Sequence, residues 1–139
     1  MDWLATCDLK ERYCRLLDGK EWADLGRRFG ENVLIETTDS GGPRMDGRDA
    51  AIATIRRSLD SARTVHQVHS PEIEINGDAA RAIWAMHDRL SSPDDRMIDG
   101  AGHYHEHYVC QQGGWRIAES RLTRLSEDLQ PPRSVESET

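Results

Sequence analysis

Six histidines stand out in this sequence as side chains that could move protons. His66 and His69 lie three residues apart in a segment with the alternating pattern of a β-strand, so their imidazoles face opposite sides of the sheet. Only one of them can face helices packed on that sheet. An imidazole that meets a carboxylate there is a general base whose tautomer the carboxylate fixes, although a hydrogen-bonded core histidine has the same pattern.

Asp18 and Tyr13 lie near the end of a first helix predicted over residues 4–17. A carboxylate at a helix C-terminus faces the negative end of the helix dipole and is disfavoured by ~0.3–1 kcal/mol, so its position needs a reason. It could orient a histidine, or Asp18 with Glu21 could form a capping box that starts the next helix. Tyr13 could direct its phenol toward the sheet or be an ordinary core tyrosine.

A later strand alternates three imidazoles with two phenols and a carboxylate: His103, His105 and His107 alternate with Tyr104, Glu106 and Tyr108. Imidazoles at alternate positions of one strand can share a metal ion, yet such sites normally recruit a further ligand and the sequence offers no clear partner. We therefore expect no metal and no cofactor. The histidine row, or the phenols on the opposite face, is expected to lie in solvent or against a second subunit.

Asp88 is a third acidic candidate. It shares a predicted strand face with Trp84 and Met86, an apolar neighbourhood in which a carboxylate needs a partner. Arg124, in the last predicted strand, could provide that partner.

Three predicted helices and a long sheet must position these side chains. The helices are expected over residues 4–17, 21–29 and 48–62, with Gly19 and Gly30 ending the first two. A small hairpin follows the second helix, over residues 32–46, and four long strands are expected over residues 64–75, 79–90, 101–112 and 115–129. Residues 91–100 are predicted to form an exposed loop. The order of elements predicts an α+β domain with helices on one face of a mostly antiparallel sheet.

Length and composition restrict the function classes. The 139 residues suit one domain, expected over residues 1–129, with a mobile polar tail over residues 130–139. A net charge of -7 without a basic cluster argues against a nucleic-acid partner. The apolar runs are too short to span a membrane and the N-terminus lacks the basic region of a signal peptide, so we expect a cytoplasmic protein. Three cysteines without paired spacing predict reduced thiols.

Four segments of the sequence together resemble the SnoaL-like branch of the nuclear transport factor 2-like superfamily. They are residues 9–25, with the pattern Tyr-x4-Asp-Gly-Lys-x-Trp, residues 65–75, with His-x2-His-x-Pro-Glu-Ile, residues 102–108 and residues 113–117. The resemblance extends over about residues 9–125 and is strongest to the bile acid 7α-dehydratases, with scytalone dehydratase and a dehydrochlorinase as more distant relatives. It implies a cone-shaped α+β barrel with a deep apolar pocket between three helices and a curved sheet.

The resemblance also implies which residues form the site. The matching positions are Tyr13, Asp18, His66, Asp88 and Arg124. The first three form the expected catalytic set, and the last two, with the nearby Trp84, form the expected substrate-binding set.

The implied activity is that of a cofactor-independent lyase or isomerase of the dehydratase type. Its expected substrate is a hydrophobic, polycyclic carbonyl compound, and its expected assembly is a homodimer or homotrimer. Two alternatives stay open: a polyketide or natural-product cyclase that uses the same pocket, and a non-catalytic ligand-binding or interaction domain.

Overall fold

The computed structural model describes residues 2–132 and contains three α-helices and a six-stranded sheet. The helices are α1 (Asp2–Asp18), α2 (Trp22–Gly26) and α3 (Arg48–Leu59). Of the tail that was predicted to be mobile, Gln130 is the last residue of a strand, and residues 133–139 lie outside the described residues. No helix in the described part of the chain is both long and apolar enough to cross a membrane.

Helix α1 ends at Asp18, one residue beyond its predicted end at residue 17, and Gly19 is not its left-handed residue. The residue with left-handed backbone is Lys20 (φ 57°), and Glu21 N donates to Leu16 O at 2.9 Å across the end of the helix. This is the hydrogen-bond pattern of a Schellman cap, in which the left-handed position follows the last turn. Asp18 therefore remains the last residue of the helix, and its side chain is free to reach the sheet.

Helix α2 is shorter than predicted, and the prediction that it extends to Phe29 is wrong. Phe29 is the first residue of strand β1 and pairs in parallel with Ile117, while Ile117 N donates to Arg28 O at 2.8 Å. Trp22, Leu25 and Phe29 have helical spacing, but this backbone pairing decides the conformation of Phe29. Gly30 consequently lies within a strand and does not end a helix.

The six strands form one curved, open, mixed sheet in the order β2-β1-β6-β5-β4-β3. Their bounds are β1 Phe29–Glu36, β2 Arg44–Asp46, β3 Arg63–Asn76, β4 Ala79–Ser91, β5 Met97–Gln111 and β6 Gly114–Gln130. Only the β1–β6 pair is parallel among the described strands. The loop predicted over residues 91–100 is too long, because the ladder continues to the pair Ser91 and Met97. The α+β fold with helices on a mostly antiparallel sheet is confirmed.

The inner face of the sheet carries the core against the helices. Tyr104 and Tyr108 are only 6% and 0% exposed, respectively, so the prediction that they are available to a second subunit is wrong. Their strand positions alternate with the histidine row, which lies on the outer face. Contact of that outer face with a second subunit stays a prediction.

Candidate functional site

A cavity of about 250 Å³ lies between the helices and the inner face of the sheet. Helix α1 contributes Tyr13, β3 contributes His66, and β4, β5 and β6 contribute Asp88, Tyr104 and Arg124. Most of the remaining wall is apolar and comes from α3, β1 and the segment that leads to β2. Five of the polar side chains that could do chemistry thus line one cavity.

His66 and Asp18 form a close pair at one side of this cavity. The Nδ1 atom of His66 is 2.7 Å from Asp18 Oδ1, and the imidazole is 8% exposed. A carboxylate at Nδ1 favours the tautomer with the proton on that nitrogen and leaves the lone pair on Nε2. His66 lines this cavity, whereas Asp18 does not.

Asp18 is held in place by two further hydrogen bonds from the start of β3. Thr64 Oγ1 donates to Oδ1 at 2.9 Å, and the backbone N–H of His66 donates to Oδ2 at 2.8 Å. The capping-box alternative is not what the structure shows, because the N-cap of α2 is Glu21 and no side chain caps that helix. The end of α1 therefore fixes the carboxylate against the histidine.

Asp88 and Arg124 form a second buried pair across the inner face. Arg124 Nη1 and Nη2 donate to the two carboxylate oxygens at 2.7 and 2.9 Å, and Nε donates to Ser40 Oγ at 2.7 Å. Bidentate pairs of this kind are geometrically specific. Gly100, which pairs with Asp88, leaves room for them, since a Cβ there would collide with Arg124 Nη1.

Tyr13 and Tyr104 present two phenols to the cavity from opposite layers of the fold. Burial raises the pKa of Tyr13 and of Tyr104 well above the ordinary value of 10.0, and nearby acidic groups raise both further. Both phenols therefore stay protonated and can donate hydrogen bonds at neutral pH. The sequence pattern predicted a surface position for Tyr104, whereas the structure shows it in the wall of the cavity.

Trp84 was grouped with the substrate-binding residues, but the structure does not bring it to the cavity. Its side chain is 1% exposed in the core, and its indole Nε1 donates to Tyr108 Oη at 3.0 Å. Lys10 and Glu106, which were not among the predicted site residues, lie in this core as a fully buried ion pair. Lys10 precedes Tyr13 by three residues, so helical spacing put both on one face, but a lysine is usually exposed.

The outer face of the sheet carries the other histidines. His87 Nε2 lies 2.7 Å from Asp99 Oδ1, and His105 Nε2 lies 3.1 Å from Thr123 Oγ1. Burial lowers the pKa of His105, with smaller contributions from Arg121 and His103. Among residues 2–132, no group of three or more histidine, cysteine or acidic side chains is arranged to hold a metal ion.

A wider groove of about 660 Å³ also crosses that outer face. It is lined largely by charged side chains, among them Glu72, Arg81 and Glu119, and it does not reach His66 or Arg124. Ligand sites are typically concave and mostly apolar, with few convergent polar groups. The smaller inner cavity fits that description better and is therefore the candidate site.

Several solved structures share this fold over nearly the whole chain. A protein from Kribbella flavida superposes with a TM-score of 0.84 at 24% identity, covering 91% of this chain and 93% of the other. A candidate scytalone dehydratase from Novosphingobium aromaticivorans gives 0.83 at 18% identity, with 91% and 86% covered. A hexachlorocyclohexane dehydrochlorinase from Novosphingobium barchaimii gives 0.81 at 14% identity, with 93% and 90% covered. At these identities the similarity establishes the fold alone.

The family is established by the sequence itself. The family model described as a SnoaL-like domain matches residues 2–121, which include both α1 with Asp18 and the strand with His66. The described helices and sheet agree with that architecture. The chain therefore belongs to the SnoaL-like family.

Proposed function

We propose that the protein is a cofactor-independent lyase or isomerase that removes a carbon-bound proton from a neutral carbonyl compound. The observation that carries the proposal is the 2.7 Å contact between His66 Nδ1 and Asp18 Oδ1 at the wall of an apolar cavity. General base catalysis needs an oriented base within reach of the substrate, and this pair supplies one.

His66 is the proposed base. Its Nε2 takes the proton from the carbon next to the carbonyl, and the C–H electron pair moves into an enolate. Asp18 holds the ring and stabilises the imidazolium that forms, as carboxylates do in related proton-transfer sites. Tyr13 donates a hydrogen bond to the carbonyl oxygen, where negative charge develops.

The second step distinguishes elimination from isomerisation. In elimination, the enolate electrons form a carbon–carbon double bond and expel the hydroxyl group from the β-carbon. His66 transfers the proton that it removed to this hydroxyl group, which leaves as water. In isomerisation, the same proton returns to a different carbon. Both routes balance without an oxidant, a reductant or a cofactor.

Asp88 and Arg124 are proposed to position the substrate. Both line the cavity, but the guanidinium is already bidentate on Asp88 and bonded to Ser40 through Nε. Their main contribution is therefore a rigid polar wall opposite the apolar surfaces. Trp84 has no proposed contact with the substrate because it lies in the core.

The cavity supports a substrate smaller than the polycyclic compound that the sequence suggested. Its volume of about 250 Å³ lies below the ~300–1,000 Å³ typical of sites for drug-sized ligands. Glu36 and Glu127 also line it, which disfavours a substrate that carries a carboxylate or phosphate group. A neutral ketone with one or two rings fits these observations.

The non-catalytic alternative is disfavoured by the same pair. A binding-only pocket would not need Asp18 directed at His66, yet Asp18 receives hydrogen bonds from Thr64, the His66 backbone and the His66 ring. The cyclase alternative uses the same base and differs in its product.

Product analysis tests the proposal. Wild-type protein and a His66→Ala variant would be incubated with cyclic β-hydroxy ketones of one or two rings, followed by mass spectrometry and NMR. We expect loss of water, or an isomer with a shifted double bond, only with the wild-type protein. A ring-closed isomer would favour the cyclase, and compounds that bind but stay unchanged would favour the binding domain.

A further inference from the structure

Lys10 is a fully buried charged side chain for which the proposed mechanism has no use. Its side chain and that of Glu106 are both 0% exposed, and Lys10 Nζ donates to Glu106 Oε2 at 2.8 Å. Lysines are almost never fully buried unless they are paired. Buried ion pairs are also weak sources of stability compared with apolar side chains of similar volume. Stability alone therefore gives a poor explanation of this pair.

Glu106 is fixed independently of the lysine. Ser120 Oγ donates to its Oε2 at 2.5 Å, and Tyr108 Oη donates to its Oε1 at 2.6 Å. Tyr108 Oη in turn accepts a hydrogen bond from Trp84. Both carboxylate oxygens are thus held by a network of side chains from three different strands, so the ammonium group that binds Oε2 has a defined position.

The ammonium group lies against two aromatic rings of the cavity wall. Lys10 Nζ is 3.5 Å from the ring centroid of Tyr104 and 4.1 Å from that of Tyr13. Only one of its three N–H groups is needed for Glu106, which leaves the others to face the rings. Cation–π contacts of this kind are strongest where water is excluded.

We propose that Lys10, held by Glu106, is a positioning residue that fixes Tyr13 and Tyr104 as a pair of hydrogen-bond donors to a substrate oxygen. Positive charge against the face of a phenol ring draws electron density from the oxygen toward the ring and strengthens the O–H as a hydrogen-bond donor. The pair would then bind an oxygen better as its negative charge grows. This role rests on the proposed function, since it matters where a carbonyl oxygen becomes an enolate oxygen.

The test compares an anionic probe with a neutral probe of similar size. Binding of 4-nitrophenolate and of nitrobenzene would be measured by absorbance and NMR titration with the wild-type protein and the double variant Lys10→Met, Glu106→Gln. The double variant removes both buried charges together, and the amide introduced in place of the carboxylate would keep oxygen and nitrogen atoms near Ser120 and Tyr108. We expect about a tenfold loss of affinity for 4-nitrophenolate and unchanged affinity for nitrobenzene. The matched control Lys20→Met should change neither.

Three results would overturn the proposal. The first is that the wild-type protein does not bind 4-nitrophenolate. The second is that the double variant binds 4-nitrophenolate with unchanged affinity. The third is that the double variant loses affinity equally for 4-nitrophenolate and nitrobenzene, which would indicate a purely structural role. Failure of the proposed function would show differently, as turnover that survives in His66→Ala, and would not alter these affinities.

A measurement on the wild-type protein keeps the test decisive if the double variant does not fold. The chain has two lysines, Lys10 and Lys20. Protein labelled with 15N at the lysine side-chain nitrogen therefore gives two ammonium signals in NMR spectra. The signal that disappears in a Lys20→Arg variant belongs to Lys20, so the other belongs to Lys10. We expect the Lys10 signal to shift with 4-nitrophenolate but not with nitrobenzene. A Lys10 signal that ignores the anion would overturn the proposal.

Discussion

Two histidine–aspartate pairs in this protein have the same separation and different surroundings. His66 and Asp18 on the inner side, and His87 and Asp99 on the outer face, each place nitrogen and oxygen 2.7 Å apart. The inner imidazole is 8% exposed and the outer one 47%. Only the inner pair lies at the apolar cavity.

The distance between nitrogen and oxygen does not distinguish the proposed catalytic pair from the outer pair. Asp18 is fixed by Thr64 and by the His66 backbone, so the carboxylate and ring keep one geometry. The side chains of the outer pair are 47% and 39% exposed, and an exposed ion pair stabilises a protein by only ~0–1 kcal/mol because water and salt screen it. The two pairs therefore differ in how firmly the carboxylate is anchored and in how far water is excluded.

Removal of the imidazole should have the largest effect. His66→Ala is expected to lower kcat by about 10²–10⁴-fold, because that is the typical contribution of a general base. His87→Ala should leave kcat unchanged. Steady-state kinetics on the ketone identified by product analysis would measure both, with circular dichroism to establish folding. Equal losses in the two variants would remove the distinction between the pairs.

Removal of one partner from the buried arginine pair should have the next largest effect. Arg124→Met leaves Asp88 in a site that is 4% exposed, and an uncompensated buried charge costs about 3–5 kcal/mol of unfolding free energy. Arg96→Met breaks the exposed pair with Asp94, whose side chains are 67% and 53% exposed, and should cost less than about 1 kcal/mol. Urea denaturation measures both values. Similar losses would show that burial does not set the strength of these pairs.

Asp18→Asn is expected to lower kcat by about 10²-fold while leaving most of the site intact. The new amide can donate to Nδ1, which favours the tautomer with a proton on Nε2 and so occupies the lone pair needed for catalysis. Asp99→Asn on the outer face should have no effect on kcat. NMR of 15N-labelled histidine would show the change of tautomer at His66. A variant with wild-type kcat would mean that Asp18 does not orient the base.

The inner face should also determine the response to alkaline pH. The chain has three tyrosines, and burial raises the pKa of each above the ordinary value of 10.0. Above pH 10 the unfolded chain loses phenolic protons that the folded chain keeps. Stability from this source is therefore complete below pH 10 and falls as pH rises further, by about 1.4 kcal/mol per pH unit for each tyrosine.

Absorbance of tyrosinate during an alkaline titration measures this effect. We expect the signal to rise together with the loss of secondary structure, because ionisation requires unfolding. Tyrosinate that forms in the folded protein would contradict the burial of the three phenols.

Local sequence patterns predicted the fold class and most of the strands. Alternation placed His66 and His69 on opposite faces, and turn residues marked the hairpins at Gly77 and Gly113, both of which have positive φ. The strand conformation of Phe29 could not be predicted in this way. It depends on parallel pairing with Ile117, which lies 88 residues away in the sequence. Helical spacing alone fitted both outcomes.

The polar core was the least predictable part of the site. Lysine is a residue type that usually lies at the surface. The burial of Lys10 depends on Glu106, which lies 96 residues away in the sequence. The alternating strand showed that Tyr104 and Glu106 share a face, but alternation does not show which face the helices cover. The side chains behind the cavity therefore became visible only with the tertiary structure.

The central claim is that His66 removes a carbon-bound proton inside the cavity. Incorporation of deuterium from D2O next to the carbonyl of a one- or two-ring ketone, followed by 1H NMR, measures that step without requiring a leaving group. We predict exchange proportional to protein concentration with the wild-type protein and with His87→Ala, and background exchange with His66→Ala. Exchange by His66→Ala at the wild-type rate would contradict the claim.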